Sequence, residues 1–422
     1  MQKVDKLLQT VIPSKDERQK VKTLAGNAIK KLTSELKRQK IKGDIIVGGS
    51  IARDTWLTGD IDIDFFIRFD YKTYKDERRL SDIAEKVLRK CYPRTVRVPG
   101  SRDYFQYQTG KYLLEFLPVL NIKKYTEAKN LTDVSPLHID FVKSKLTDKL
   151  RKDIMLTKAL FKARGLYGAE SHIRGFSGYL SELLVVYYGS FQKLIRAGSK
   201  WKPGKVLVDM SGRYKTVKDA IAKLNSSKLG PLIAVDPVQP DRNSAAALRI
   251  KKFEQFVELC KVFDFNNLEK FFVPKTFDLA DLKRRAKRTK KYLIVFEEKP
   301  GKGKKDIIGA KLLKNFEFVG SQFKHHGFRV VDSDWFWDGK GVAKYWYFLE
   351  RSELEKTMVR VGPPTKISKQ YIQPFLKKHK GAWQEKGRWV AKVKRDYWKA
   401  KDLIKALLKE ERMKSVKILH MD

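Results

Sequence analysis

Between Gly59 and Phe66 the chain reads Gly-Asp-Ile-Asp-Ile-Asp-Phe-Phe, an alternation of acidic and apolar residues. In an extended strand, period two sends Asp60, Asp62 and Asp64 to one face and Ile61, Ile63 and Phe65 to the other. A row of carboxylates repels itself unless cations neutralise it, and Mg²⁺ prefers a few carboxylates completed by phosphate and water oxygens. Asp62 and Asp64 are therefore candidate ligands of a metal–nucleotide site, the alternative being a solvated strand edge blunted by acids. Upstream stands Gly49-Ser50, with eleven residues between Ser50 and Asp62. A glycine turn entering a helix offers backbone N–H groups and a hydroxyl to a phosphate, and Arg53, one turn on, adds positive charge. Such turns also serve geometry alone. Turn and acidic strand together are more specific than either part.

The elements that must carry these residues are legible around them. After Pro13, Ser14 and Glu17 have capping-box spacing, and Val21, Leu24, Ala25, Ala28, Ile29, Leu32 and Leu36 follow the helical period, predicting a long amphipathic helix. Ile45–Val47 reads as a short strand, 52–57 as a brief helical stretch and 60–69 as a strand. Leu80, Ile83, Ala84, Val87, Leu88 and Cys91 predict another helix, and 104–107 and 112–119 two strands split by Gly110-Lys111. A small mixed α/β domain is expected over 1–134. Ser135-Pro136 is a helix start, and Leu150, Ile154, Thr157, Leu160, Phe161 and Arg164 share one face of a helix ended by Gly165. Helices dominate to about Phe263, predicting a helical central domain over 135–270.

The remaining residues, 271–422, are expected to form an α+β basic region. It opens with the basic run 283–291, a strand at 292–296 and a Gly/Lys-rich turn at 299–305. A hairpin is predicted from 328–337 and 342–349 flanking Asp338-Gly339-Lys340-Gly341. The stretch 366–417 interleaves basic residues with Tyr371, Phe375, Trp383, Trp389, Tyr397 and Trp398, a pattern suited to phosphates and stacked bases. Any one of those rings could equally pack a core.

Composition narrows the partner. The chain of 422 residues carries 91 Lys and Arg against 49 Asp and Glu, a net +42 that favours a polyanion, nucleic acid first. With 42% hydrophobic residues it has the apolar surface to fold, and its length exceeds a single ordinary core. No apolar run approaches 18 residues, and no signal-peptide or lipidation motif occurs, so no membrane partner is expected and the location expected is cytoplasmic. Cys91 and Cys260 are isolated, which excludes a disulfide framework and a thiolate zinc site; both are expected as buried thiols. No HxxxH pair exists among the six histidines, which argues against transition-metal catalysis.

The stretch Gly49-Ser50-Ile51-Ala52-Arg53-Asp54-Thr55-Trp56-Leu57 with the acidic strand resembles the active site of polymerase-β-like nucleotidyltransferases, and within them the class I, archaeal-type CCA-adding enzymes. The resemblance continues through Arg174-Gly175-Phe176-Ser177-Gly178-Tyr179, Val235-Asp236-Pro237-Val238 with Arg242-Asn243, and Val361-Gly362-Pro363-Pro364, covering nearly the whole chain. It implies an α+β multidomain protein with an N-terminal polymerase-β-like nucleotidyltransferase domain, a helical central domain completing the nucleotide pocket, and a C-terminal tRNA-binding region. The implied reaction is template-independent addition of C, C and A to the 3′ end of tRNA from CTP and ATP, with two Mg²⁺ ions and release of pyrophosphate. The acceptor arm is the implied partner, and a homodimer is left open.

The resemblance also implies a third carboxylate, matched by Glu115 in Leu114-Glu115-Phe116-Leu117-Pro118. Relatives tend to place Glu, then Asp, in the first strand and Asp in the third position; here Asp62 and Glu115 exchange those lengths. Glu115 read alone could be a buried acid paired with a lysine. Triphosphate contacts are implied for Ser50, Arg53, Lys158 and Tyr167, and base or ribose contacts for Ser135, His138 and Arg242. Read from the residues alone, Lys158 could be solvated, Tyr167 core, His138 a locally satisfied histidine and Arg242 a surface charge or a structural salt bridge. A transferase extending other RNA ends or making oligoadenylates would share the carboxylates. A catalytically dead RNA-binding protein would gain nothing from the intact Asp62/Asp64 pair.

Overall fold

A computed structural model describes residues 2–60, 62–76 and 79–422 of the chain. Two compact units divide it, Met1–Lys275 and Thr276–Asp422. Among the described residues, no helix is long and apolar enough to cross a membrane.

In the first unit a helix, Gln2–Val11, precedes the predicted amphipathic helix, Lys15–Arg38, whose capping box is formed by Ser14 and Glu17. A five-stranded sheet follows in the order β1-β2-β5-β4-β3, from Gly43–Val47, Asp62–Asp70, Val96–Val98, Tyr104–Thr109 and Tyr112–Asn121 as β1 to β5. Only β2 and β5 run parallel, and their register sets Asp64 beside Glu115. On one face Ile63, Phe65, Ile67 and Phe69 pack with Phe105, Leu114 and Phe116 against Val21, Ala28, Leu32 and Leu36 of the helix Lys15–Arg38 and Leu80, Ala84, Val87 and Leu88 of the helix Leu80–Cys91. That burial fixes which way β2 faces, because a one-residue slip would turn the apolar set outward. Ile61, expected on this core face, lies outside the described residues.

Two expectations near the strand change. The helix over 52–57 is instead Gly49–Arg53, stopped where Asp54 adopts a left-handed conformation at φ 54° and pairs with Arg18. Asp60, expected in the carboxylate row, precedes β2: its carboxylate accepts from the Leu57 N–H at 2.9 Å and pairs with Lys162. A loop-closing bond and a cation partner withdraw it from the row.

Residues on both sides of 134 share this unit, so the seam expected there falls inside one compact body. Helices Ser135–Lys145, Asp148–Ala163, Gly178–Tyr188 and Ile250–Lys261 follow. Leu156, Leu160, Phe161, Phe176, Leu184, Phe253 and Phe256 form a second core. The central region is not purely helical. A two-stranded parallel sheet, β6 (Val206–Asp209) and β7 (Leu232–Val235), lies within it. Both strands are four residues long, and β7, with every side chain buried, carries no alternation to read.

In the second unit β8 (Tyr292–Glu298), β9 (Val330–Phe336), β10 (Ala343–Leu349) and β14 (Val416–Met421) build an antiparallel sheet in the order β14-β8-β10-β9. The expected hairpin is β9–β10, its turn held by Lys340 and Gly341 N–H groups donating to Asp338, each at 2.8 Å. One face packs Val319, Phe323, Leu403, Ile404 and Leu407; the other packs Leu282, Ala286 and Trp346. A smaller sheet, β11-β13-β12 (Thr357–Pro364, Arg388–Lys394, Trp383–Glu385), carries the helix Lys369–Lys378. The basic stretch 366–417 is therefore no separable segment. Its first part lies in the small sheet, while Ala400, Leu403, Ile404, Leu407, Met413 and Val416 are core of the large one.

Candidate active site

The face of β2 opposite its core carries Asp62 and Asp64, two residues apart, and β5 adds Glu115 beside Asp64. Burial, then the charges of Glu115 and Asp62, push the Asp64 carboxyl up to about 7; Arg53 opposes the shift, and a hydrogen bond with Glu115 adds to it. Gln106, opposite Glu115 on β4, donates to the other side of that carboxylate pair through Glu115 Oε1. Glu115 is thus tied to a carboxylate and an amide. Among the described residues, no three His, Cys, Asp or Glu side chains close into a preformed metal cage. The three carboxylates instead form an open row, and a hard cation that takes few carboxylates plus phosphate oxygens suits this donor set.

Gly49 brings the backbone against the row. Its φ is +58°, and a Cβ there would sit 1.8 Å from Asp64 Oδ2, so only glycine allows this approach. The Gly48 N–H donates to the Asp64 carbonyl at 2.7 Å, fixing the turn to the strand. Beside it opens a cavity of about 440 Å³ lined by Gly49, Arg53, Asp64, Ser135, His138, Ser177, Tyr179 and Arg242 among others. A larger cavity of about 840 Å³ lies along the helix Lys15–Arg38 and β1, against Val21, Ala25, Ile45 and Trp56. None of the three carboxylates lines it, so it is not the reacting site.

Of the residues implied for nucleotide contact, Arg53, Ser135, His138 and Arg242 line the smaller cavity, and Ser50, Lys158 and Tyr167 do not. Ser50 follows Gly49 in the short helix at the turn. Lys158 is 2% exposed, and its ammonium lies 2.7 Å from Glu182 Oε1, 3.0 Å from the Thr55 hydroxyl and 3.1 Å from the Thr55 carbonyl. With its donors spent there, Lys158 faces a carboxylate rather than the cavity. Arg53 Nε stands 2.7 Å from the other oxygen of Glu182, so one buried carboxylate holds both cations. Burial raises the Glu182 carboxyl, but Lys158 and Arg53 outweigh it and the net shift is downward. Tyr167 packs on the second core with its hydroxyl against Gly178, and burial pushes its phenol up.

Two residues of this site carry no assignment from the sequence. Glu182 has a signal there, as the one acid within the apolar run Leu180–Val185 of a helix. Asp236 stands inside the stretch Val235-Asp236-Pro237-Val238 without a role of its own. It is fully buried, and His138 Nε2 and Arg242 Nη1 each lie 3.0 Å from its Oδ2.

Comparison with known proteins places these parts in a family. Residues 29–159 match the model of the nucleotidyltransferase domain, 152–273 that of the tRNA nucleotidyltransferase second domain, and 287–417 that of the CCA-adding enzyme C-terminal domain. The CCA-adding enzyme of Methanosarcina mazei is 31% identical over 420 residues, covering 95% of this chain and 88% of that one. The chain belongs to the archaeal-type CCA-adding enzymes. That of Methanocaldococcus jannaschii is 30% identical over 409 residues, covering 95% and 89%. Among solved structures, a Cid1 poly(U) polymerase aligns with a TM-score of 0.51 at 13% identity, covering 65% of this chain and 98% of that one, a likeness of fold alone. The family's nucleotidyltransferase domain implies metal-dependent use of nucleoside triphosphates, and its identity implies tRNA as substrate.

Proposed function

We propose that this chain adds C, C and A in turn to the 3′ end of tRNA, from CTP and ATP, at the row formed by Asp62, Asp64 and Glu115. The observation that carries this reading is the pairing of Asp64 with Glu115 across parallel strands, beside a cavity lined by Arg53 and Arg242. Two Mg²⁺ ions bound by the three carboxylates would supply Lewis-acid stabilisation of the attacking 3′-oxygen and of the charge developing on the triphosphate. Arg53, held by Glu182, binds a triphosphate oxygen, and Lys158 keeps that carboxylate in place from the side away from the nucleotide. Backbone N–H groups at Gly49-Ser50 add neutral donors where a charged side chain has no room. The 3′-hydroxyl attacks the α-phosphorus and pyrophosphate leaves, so no side-chain nucleophile is required. Ser135, His138 and Arg242 line the part of the cavity left for the base and ribose.

The two carboxylates with exchanged arm lengths, Asp62 and Glu115, stand differently in the register. Glu115 has a direct neighbour in Asp64, whereas Asp62 stands two residues along the same strand. The test is substitution. Asp62→Asn, Asp64→Asn or Glu115→Gln is expected to abolish incorporation of both CTP and ATP while the protein stays folded, since relieving carboxylate repulsion seldom destabilises. Near wild-type incorporation of either nucleotide by any of the three would remove that residue from the site.

A further inference from the structure

β7 ends at Val235, and the next side chain turns inward. Asp236 is 0% exposed, yet five donors reach its two oxygens. Oδ1 accepts from the Val238 N–H at 3.0 Å, the Gln239 N–H at 3.2 Å and the Tyr179 hydroxyl at 3.3 Å. Oδ2 accepts from Arg242 Nη1 at 3.0 Å and the Ser244 hydroxyl at 3.3 Å, with His138 Nε2 also 3.0 Å away. The Asp236 N–H donates to the Arg242 carbonyl at 3.0 Å, so backbone and side chain of Arg242 are both tied to one residue. The rings of His138 and Tyr179 meet at 4.5 Å. One buried carboxylate thus gathers three residues that line the cavity, and only one nitrogen of the 42% exposed Arg242 is committed to it.

The chemistry of the bases gives that tether a use. Cytosine and adenine present a ring-nitrogen acceptor beside an amino group, while uracil and guanine carry N–H at the ring position and a carbonyl beside it. A mobile guanidinium could slide from the ring nitrogen to the neighbouring carbonyl and satisfy either pair. One held in a fixed direction meets a donor on uracil or guanine and leaves groups unpaired. We propose that Asp236 is a positioning residue for nucleotide selection, fixing the fork of Arg242 so that C and A are separated from U and G by geometry. This rests on the reading of Arg242 as the residue facing the base. The bonds to Val238 and Gln239 also shape a turn, so the readout must be one that turn stability does not move.

That readout is the ratio of kcat/KM for CTP to UTP on tRNA ending at the discriminator base, and for ATP to GTP on tRNA ending in CC. Both rates in a ratio come from one preparation, so an unfolded fraction cancels. Arg242→Ala is expected to lower the ratios about tenfold or more, the scale of one unsatisfied buried group. Unchanged ratios there would overturn the reading of Arg242 itself. Asp236→Asn, whose amide turns N–H groups toward donors, is expected to lower them nearly as far, with no further fall in the double variant. Ratios kept by Asp236→Asn but lost by Arg242→Ala would overturn the tether alone. Arg242→Lys keeps a cation for Asp236 and covers the case where Asp236→Asn does not fold. Held by Asp236, the ammonium has no second arm, so ratios as low as those of Arg242→Ala are expected; near wild-type ratios would show an untethered cation reading the base and overturn the proposal.

Discussion

Glu182→Gln tests how the interior of the first unit holds its cations. Glu182 is fully buried, and it faces Lys158 at 2.7 Å on one oxygen and Arg53 at 2.7 Å on the other. Removing one partner of a buried pair costs about 3–5 kcal/mol, because the remaining charge is left uncompensated. Here one carboxylate serves two cations, but Arg53 lines the cavity and can turn toward water, so the cost falls mainly on Lys158. A loss of about 4 kcal/mol is expected, a large part of the ~5–15 kcal/mol of a typical domain. With an m-value near ~2 kcal/mol/M, the urea midpoint of the first unit's transition should fall by about 2 M. Because the folded Glu182 carboxyl lies below its ordinary value, its contribution is present above pH 4.5 and lost as pH falls through the folded value. The gap between variant and wild type should therefore close in acid. Adding Lys158→Met should recover more than half of the loss. In the same variant an untethered Arg53 should raise KM for CTP and ATP by one common factor, since a triphosphate contact does not read the base. A loss under about 1 kcal/mol, or no recovery from Lys158→Met, would refute the shared-carboxylate account.

Three further outcomes are expected. Gly49→Ala places a methyl 1.8 Å from Asp64 Oδ2 at a φ of +58°, so kcat should drop at least ~10-fold for both nucleotides with little change in tRNA affinity; steady-state kinetics checks this. Glu298, buried in the second unit, is pushed up to about 6 by burial, against hydrogen bonds from Asn315 and Ser415. A raised carboxyl stabilises below its unfolded value of 4.5 and loses that contribution as pH rises through about 6, so Glu298→Gln should gain up to about 2 kcal/mol near pH 8 and nothing near pH 4, as read from denaturation at the two pH values. Replacing exposed Lys377, Lys378 and Lys392 by Glu should weaken tRNA binding and flatten its salt dependence, by roughly 0.7 to 0.9 in the log–log slope for each phosphate no longer neutralised. Equal slopes would remove that surface from the tRNA interface.

The reacting row is legible in the sequence because its face is set by a local rule. Ile63, Phe65, Ile67 and Phe69 must turn to the core, and period two then turns Asp62 and Asp64 the other way. Asp60 obeys the same spacing and leaves the row, because strand ends are set by hydrogen-bond partners such as Leu57 and by the distant Lys162, which periodicity does not carry. The neighbour relation of Asp64 and Glu115 depends on a parallel pairing of strands about fifty residues apart, and comes only with the family resemblance. Lys158 shows the opposite limit. A lysine on a helix reads as solvated or ligand-bound, and the acid that takes it inward, Glu182, is on another helix whose packing no local pattern foretells. Sheet β6–β7 escapes a reading of the sequence because the four buried residues of β7 have no phase and β6 is only four residues long. In the second unit, alternation and the Asp-Gly turn reveal the hairpin β9–β10, whereas the basic stretch hides its own division between a small exposed sheet and the main core. Exposure there is selective: Tyr371 is 64% and Trp383 40% exposed, while Trp346 is buried on the large sheet.

Ordered, self-limiting addition is the activity proposed for the Asp62/Asp64/Glu115 row. It is tested most directly by incubating the pure chain with Mg²⁺ and a tRNA transcript ending at the discriminator base, then sequencing the 3′ ends. Two C residues are expected with CTP alone, one A after them when ATP is added, and then a stop. Runs of A or U beyond three nucleotides, or no extension by a folded protein that binds the tRNA, would contradict it.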